Sequence, residues 1–265
     1  MEPAHLEDRA VIALSGTEAR PLLQGLITND INRLAPDRGL YAALLTPQGK
    51  ISADFLIAEG DGALLLDCTA AAADALVKKL KLYRLRAKVE IERRPQLGVY
   101  AGLETEGLVC FADPRLVALG PRGIGAMAEM PARLPGAAGY HAARLALGIP
   151  EGADFGSDAI FALDSGLDEL NAIAFDKGCY VGQELTARMK HRGTARKRLL
   201  LVTADGPLPP AGSEIGDGTA SLGEIVSCYG TVGFALVRLD RLSEAKGALT
   251  AAGIPVSLRK QDWLN

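Results

Sequence analysis

The sequence has no apolar run that approaches the roughly 18 uninterrupted residues a membrane-spanning helix needs. Its first residues, MEPAHLEDRAVIAL, are acidic ahead of a short apolar stretch, the reverse of a secretory signal. These two absences set the expectation of a cytoplasmic protein with no membrane partner. Cysteine is sparse: Cys68, Cys110, Cys179 and Cys228 lie far apart, with no CxxC pair. Such spacing reads as reduced thiols, mostly small core residues, and gives no ligand set for a zinc or iron–sulfur site within one chain. With three histidines besides, no resident metal is expected. Net charge is only −3, so nothing global attracts nucleic acid.

What is present is ordinary globular composition. Of 265 residues, 48% are apolar and 23% charged, enough to build one large core or two to three smaller ones. Positive charge is concentrated in two places. Residues 78–94 hold eight Lys or Arg against two acids, and residues 185–198 hold six together with His191 and no acid. Runs of this kind are either solvated faces or contacts for an anion such as a phosphate, a carboxylate tail or RNA.

Hydrophobic periodicity organises the first ninety residues as strands with a crossing helix. Ala10–Leu14 reads as a strand, followed by SGTE with capping-box spacing and a helix through Leu22, Leu23 and Leu26. Tyr41–Leu45 and Ile51–Ala58 flank the turn Thr46-Pro47-Gln48-Gly49 as a hairpin. Ala63–Cys68 is a further strand, and the spacing of Ala73, Leu76, Val77 and Leu80 predicts a helix from about Thr69. Residues 97–119 hold two or three short strands, the Gly/Ala/Pro-rich stretch 120–139 reads as a loop, and a helix runs over Tyr140–Leu147. After Arg198 the texture changes to short β-type runs divided by Gly/Pro turns, a separate small β-domain.

The run KGCYVGQE, residues 177–184, is where chemistry concentrates. Gly178 and Gly182 flank Cys179, Tyr180 and Val181, a spacing suited to a tight loop whose backbone approaches a ligand. If a helix begins at Gly182, its positive end and the neighbouring Lys177 both favour a thiolate at Cys179. Gln183 and Glu184 then fall in the first turn as capping residues. Such a thiolate serves as nucleophile, redox group or soft-metal ligand, and the residues alone do not choose. A lone buried structural cysteine is the plainer reading of the same residues.

KGCYVGQE resembles the signature of the YgfZ family of folate-binding proteins, a branch of the glycine-cleavage T-protein (aminomethyltransferase) superfamily that includes a mitochondrial iron–sulfur assembly factor. LLQGLITNDI, YAALLTPQGKISADFLI, LLLDC, KLYRLRAKVEI and ARLALGIPEG follow the family's order and approximate spacing, so the likeness covers most of the chain from about Val11. The resemblance implies an α+β fold of two interwoven α+β regions over residues 1–195, around a folate pocket, and a C-terminal β-barrel over residues 196–265. It implies tetrahydrofolate or a one-carbon derivative as cofactor. It places Asp54 as the pocket carboxylate and Tyr41 as a pocket aromatic, with Cys68 about where T-proteins carry an asparagine. Arg84, Arg86 and Arg188 are the candidate partners for the folate's carboxylates. Cys179 becomes the essential residue, its surroundings shaped by Lys177, Gly178, Tyr180, Gly182, Gln183 and Glu184.

The function so implied is a tetrahydrofolate-binding accessory to iron–sulfur cluster assembly or repair. Its partners are assembly proteins or client iron–sulfur enzymes, with an indirect effect on tRNA modification and no direct RNA binding. The alternative is a folate-dependent one-carbon transferase. Against it stand Cys68 at the asparagine position, Tyr180 for the usual phenylalanine and Gly182-Gln183-Glu184 for the usual Gly-Arg-Glu.

Overall fold

The computed structural model describes residues 2–131, 133–156, 158–193 and 196–265. In chain order the elements are β1 (Ala4–His5), β2 (Arg9–Ser15), α1 (Ala19–Leu26), β3 (Leu40–Leu45), β4 (Ile51–Gly60), β5 (Ala63–Thr69), α2 (Ala70–Arg84) and β6 (Glu90–Arg93). There follow β7 (Leu97–Ala101), β8 (Leu108–Ala112), β9 (Pro121–Ala126), α3 (Ala138–Leu147) and α4 (Gln183–Arg192). The remainder is β10 (Lys197–Thr203), β11 (Glu214–Gly216), β12 (Ser221–Tyr229), β13 (Val232–Arg238), α5 (Leu239–Glu244), β14 (Thr250–Ala251), β15 (Ile254–Pro255) and β16 (Ser257–Arg259).

These strands make three sheets. The first, β3-β4-β5-β2-β6, buries one face under α1 and α2, where Ile12, Leu14, Phe55, Ile57 and Leu66 meet Leu23, Leu76 and Leu80. Its other face, with Val11, Leu56 and Leu65, looks into a central core shared with the second sheet, β1-β7-β9-β8. Because β1 pairs with β7 before the chain enters the first sheet, the two α+β regions are interwoven as expected. The third sheet, β15-β14-β11-β12-β13-β10-β16, is the C-terminal β-barrel. It closes on its own core, including Val202, Ile215 and Ile225, and turns Leu199, Leu201, Phe234 and Leu236 toward the body. Trp263 returns to the body, its indole N–H donating to the Leu147 carbonyl at 2.9 Å.

The hairpin, the strand at Ala63 and the helix after Thr69 fall where the periodicity puts them. Three readings change. No capping box opens α1, because Glu18 accepts from the Lys88 backbone at 2.7 Å and serves a distant loop. The stretch 120–139, read as a loop, contains β9, an inner strand of the second sheet. A Cβ on Gly123 or Gly125 would lie 2.9 or 2.5 Å from Leu108, so the glycines that suggested a loop are what let β8 approach. Helix α4 starts at Gln183, one residue later than expected, and runs on to Arg192.

Candidate functional site

The strands β4 and β5 pair from Leu56↔Asp67 to Gly60↔Ala63, but before Leu56 the β5 pairing stops, and on that side only Ile51 bonds again, to residues 158 and 160. A cleft of about 950 Å³ opens in this gap, between β4, the start of α2 and the turn Gly152–Phe155. That volume lies within the range of ligand pockets. Small residues such as Ala53, Ala70, Ala72, Ala75 and Gly152 line it, and α2 begins without a side-chain cap. The Ala43 N–H and C=O both bond to Thr28, so Ala43↔Asp54 is a non-hydrogen-bonded pair and the Asp54 backbone turns toward the gap.

Asp54 is the buried carboxyl among those that line this cleft. Its Oδ2 accepts from the Tyr41 hydroxyl at 3.1 Å and its Oδ1 from the Gly152 N–H at 2.9 Å. Burial pushes this carboxyl above the usual carboxylate range, against the pull of Arg9. Behind it lies a buried network of four arginines and four further carboxylates. Arg9 Nε meets Asp67 Oδ1 at 2.6 Å, and Arg122 Nε meets Asp67 Oδ2 at 3.1 Å. Arg115 grips Asp113 through Nε and Nη2 at 2.9 and 2.6 Å, and Glu151 through Nη1 at 2.7 Å. Arg144 holds Asp154 at 2.8 Å, and Asp154 reaches into the barrel, accepting from Ser227 and Tyr229. Burial disfavours the Glu151 charge, yet Arg9, Arg115 and Arg144 outweigh it and hold that carboxyl well below its ordinary range. Four positive charges match four negative ones, and Asp54 is the fifth carboxyl, for which burial prevails.

The pocket residues expected beside Asp54 are placed differently. Tyr41 does not line the cleft; it lies behind Asp54, fully buried, with the Arg115 guanidinium 5.5 Å from its ring centre. Cys68 faces the opposite side of the sheet, in the core with α2, and burial pushes its thiol up to about 12. Strand alternation explains the correction, since its neighbours Asp67 and Thr69 point to the network and the cleft. Arg84 ends α2, about 20 Å from the first turn at 1.5 Å per residue, and donates to the Val89 carbonyl. Arg188 pairs with Glu184 on the solvent face of α4 at 2.5 Å. Neither arginine lines the cleft.

The cysteine loop is a second centre. Residues 172–177 dock along 27–29, where the Thr28 hydroxyl donates to the Ala172 carbonyl and the Ala174 N–H donates back to Thr28. The two motifs LLQGLITNDI and KGCYVGQE therefore form one unit. Lys177 is buried, and its ammonium donates to the carbonyls of Gln24, Ile27 and Asn29 at 2.7, 2.7 and 2.8 Å, closing the end of α1. Burial brings Lys177 down to about 8, so the protonated form that donates these bonds still prevails at pH 7. It anchors the loop: all three ammonium hydrogens go to these carbonyls, where the sequence led us to expect them turned to the thiol. Gly182, at φ +81°, lies so close to the turn of the β3–β4 hairpin that a Cβ would sit 2.5 Å from the Thr46 carbonyl oxygen. The close approach is thus to the chain's own backbone rather than to a ligand. Gly178 has open space around it.

Tyr180 is buried in the central core, and its carbonyl accepts from the Gln183 N–H that opens α4. No side chain caps that helix; Glu184 turns to Arg188 instead of capping. Cys179 is exposed between these anchors, and none of its loop lines the cleft. Sequence reasoning missed the arginine network. Its visible signal was charged residues at core positions of apolar strands, such as Arg9 before AVIAL and Asp67 within LLLDC.

Comparison with known proteins places this architecture. The family model described as CAF17, C-terminal beta-barrel domain, matches residues 196–265. The mitochondrial iron–sulfur cluster assembly factor IBA57 of Mus musculus is 35% identical over 89% of this chain and 77% of its own length. The human protein of that name is 34% identical over 97% of this chain and 84% of its own. Among solved structures, the glycine cleavage system aminomethyltransferase T from Bartonella henselae superposes with a TM-score of 0.75, over 99% of this chain and 86% of that one. At 15% identity this establishes the shared fold. The curated relatives are mitochondrial proteins, which overturns the cytoplasmic expectation drawn from the lack of a membrane-spanning run and of a secretory signal. The chain belongs to the IBA57 family of iron–sulfur cluster assembly factors.

Proposed function

We propose that this protein acts in iron–sulfur cluster assembly, with Cys179 as the thiol presented to a partner and a reduced folate bound in the cleft at Asp54. The observation that carries the first half is an exposed thiol on a loop anchored at both ends, by Lys177 and by Gly182. Buried structural cysteines need no such presentation. One thiol cannot complete a four-ligand site, so a cluster held at Cys179 draws its other ligands from an assembly protein, a client enzyme or a second chain. An effect on tRNA thiolation follows indirectly, through client enzymes. Within the family we assign the chain to the folate-binding YgfZ branch, with residues 1–195 as the folate-binding region and 196–265 as a separate barrel.

The cleft suits a folate in volume and in chemistry. Walls of alanine and glycine suit a flat ring, and a buried carboxyl at Asp54 suits its N–H edge. In cells lacking their own copy, Cys179→Ser is expected to leave iron–sulfur enzyme activities at the level of the deletion. Full restoration by Cys179→Ser would overturn the role of the thiol. Tetrahydrofolate affinity is expected to fall in Asp54→Asn; unchanged affinity would remove the folate from this cleft.

One observation favours a second reading, a one-carbon transferase. Burial keeps Asp54 protonated further up the pH scale than a free carboxyl, as a general acid requires. Incubation with a methylene donor and tetrahydrofolate would then yield methylene-tetrahydrofolate, and no turnover above background dismisses it.

A further inference from the structure

Three side chains meet at the mouth of the cleft. The Lys79 ammonium, from α2, donates to the hydroxyl of Ser52 on β4, and that hydroxyl donates to Asp158 Oδ1. Lys79 Nζ itself lies 3.8 Å from Asp158 Oδ1. Ser52 is the extra residue of a β-bulge, since Ala53 faces Leu44 and Ile51 faces Leu45 with nothing opposite Ser52. Bulges re-aim a side chain, here toward α2.

Lys79 is the one cation among the described residues that line the cleft, against the carboxylates Asp8, Asp54 and Asp158. Two of those carboxylates are engaged elsewhere. Asp8 pairs with His141 Nε2 at 2.9 Å, and Asp54 is held by Tyr41 and Gly152. Asp158 alone meets Lys79.

The way Asp158 is held matters. Its N–H donates to the Ile51 carbonyl at 3.1 Å, and the Ile51 N–H donates to Ile160 at 2.9 Å, so its backbone is fixed to the start of β4. Its φ is +54°, a conformation costly for most side chains and tolerated by Asp and Asn. The carboxylate is half exposed, and its hold on the mouth of the cleft is through Ser52 and Lys79.

We infer that Lys79 and Ser52 form a carboxylate-recognition subsite at the mouth of the cleft, occupied here by the chain's own Asp158 in place of a ligand carboxylate. The inference rests on the folate reading of the cleft: the ring lies at Asp54 and a tail carboxylate displaces Asp158 from Lys79. Asp158 then acts as an internal competitor that lowers affinity for any ligand bearing such a tail.

Removing the cation and removing the competitor have opposite effects, and a tail-less ligand separates both from damage to the cleft. The full chain and its Lys79→Met and Asp158→Asn variants are titrated calorimetrically with tetrahydrofolate and with 6-methyltetrahydropterin. Lys79→Met is expected to weaken tetrahydrofolate by roughly fivefold and Asp158→Asn to tighten it by roughly threefold, the scale of a partly exposed ion pair. The pterin's affinity stays within about twofold throughout. Weaker tetrahydrofolate binding by Asp158→Asn would overturn the inference, as would an equal loss for both ligands in Lys79→Met. Asparagine tolerates the positive φ, so this variant reports even if Lys79→Met misfolds. Binding of neither ligand to the wild type would remove the folate reading itself, and the subsite with it.

Discussion

At the cleft, Asp54 is closed off from solvent and backed by four buried arginines, each matched to a carboxylate. Cys179 lies on the loop that packs against the turn of the same hairpin, reaches solvent, and makes no hydrogen bond among the described residues. One centre is built from its own surroundings and the other from what holds its flanks. A group that must sit at a chosen protonation state inside a cleft needs a defined dielectric and fixed counter-charges. A thiol that must meet another protein needs clearance and a rigid base. The two centres should therefore fail in different ways.

The largest effect is expected at the arginines. Arg115→Ala leaves Asp113 and Glu151 short of a buried counter-charge, at a cost of about 3–5 kcal/mol in stability. Urea denaturation measures it, and a loss below about 1 kcal/mol would show that the network is not the cleft's support. At the loop the sensitive point is a glycine. Gly182→Ala combines a positive φ with a Cβ 2.5 Å from the Thr46 oxygen, and about 2–4 kcal/mol is expected. A neutral Gly182→Ala would mean that the loop is not seated on the hairpin turn.

A smaller, pH-dependent effect is expected where α4 meets the body. Lys190 bonds Asp168 at 2.8 Å and Arg198 bonds the adjacent Glu169 at 3.1 Å, which leaves two carboxyls side by side. Burial, with a hydrogen bond that protonated Glu169 donates to Asp168, raises Glu169 from its usual 4.5 to about 7. A raised carboxyl favours the folded state while protonated. Its stabilisation is complete below about pH 4.5 and lost as pH rises through 7. Glu169→Gln removes that loss, so the variant should gain on wild type between pH 5 and 8, by about 1 kcal/mol once solvent screening is allowed for. Parallel stability curves across that range would refute the shared-proton arrangement.

How much of this was legible in the sequence follows from the range of the contacts. The TPQG hairpin and the α2 periodicity are local, and both were readable. Asp54 came from the family resemblance alone, since by strand alternation it reads as a solvent-facing residue. Arg9 and Asp67 are 58 residues apart, Arg115 and Glu151 36 apart, and Lys177 binds carbonyls about 150 residues away, separations that carry no periodic signal. Cys68 was misplaced because one residue reverses a strand side chain, and only the sheet's packing says which face is which. β9 was hidden because its glycines serve packing against Leu108, while in sequence they read as a turn.

The sharpest test of the contrast is the smallest change. Gly178 has no atom near the place a Cβ would take and no positive φ, and Cys179 is exposed. Gly178→Ala and Cys179→Ser are thus both expected to stay within about 0.5 kcal/mol of wild type in urea denaturation. If the loop exists to present its thiol, the two variants part in cells: Gly178→Ala restores iron–sulfur enzyme activity and Cys179→Ser does not. A Cys179→Ser protein that is destabilised by several kcal/mol would return the cysteine to a structural role. A stable but inactive one separates presentation from packing, which the buried network at Asp54 cannot do, because there every substitution disturbs both.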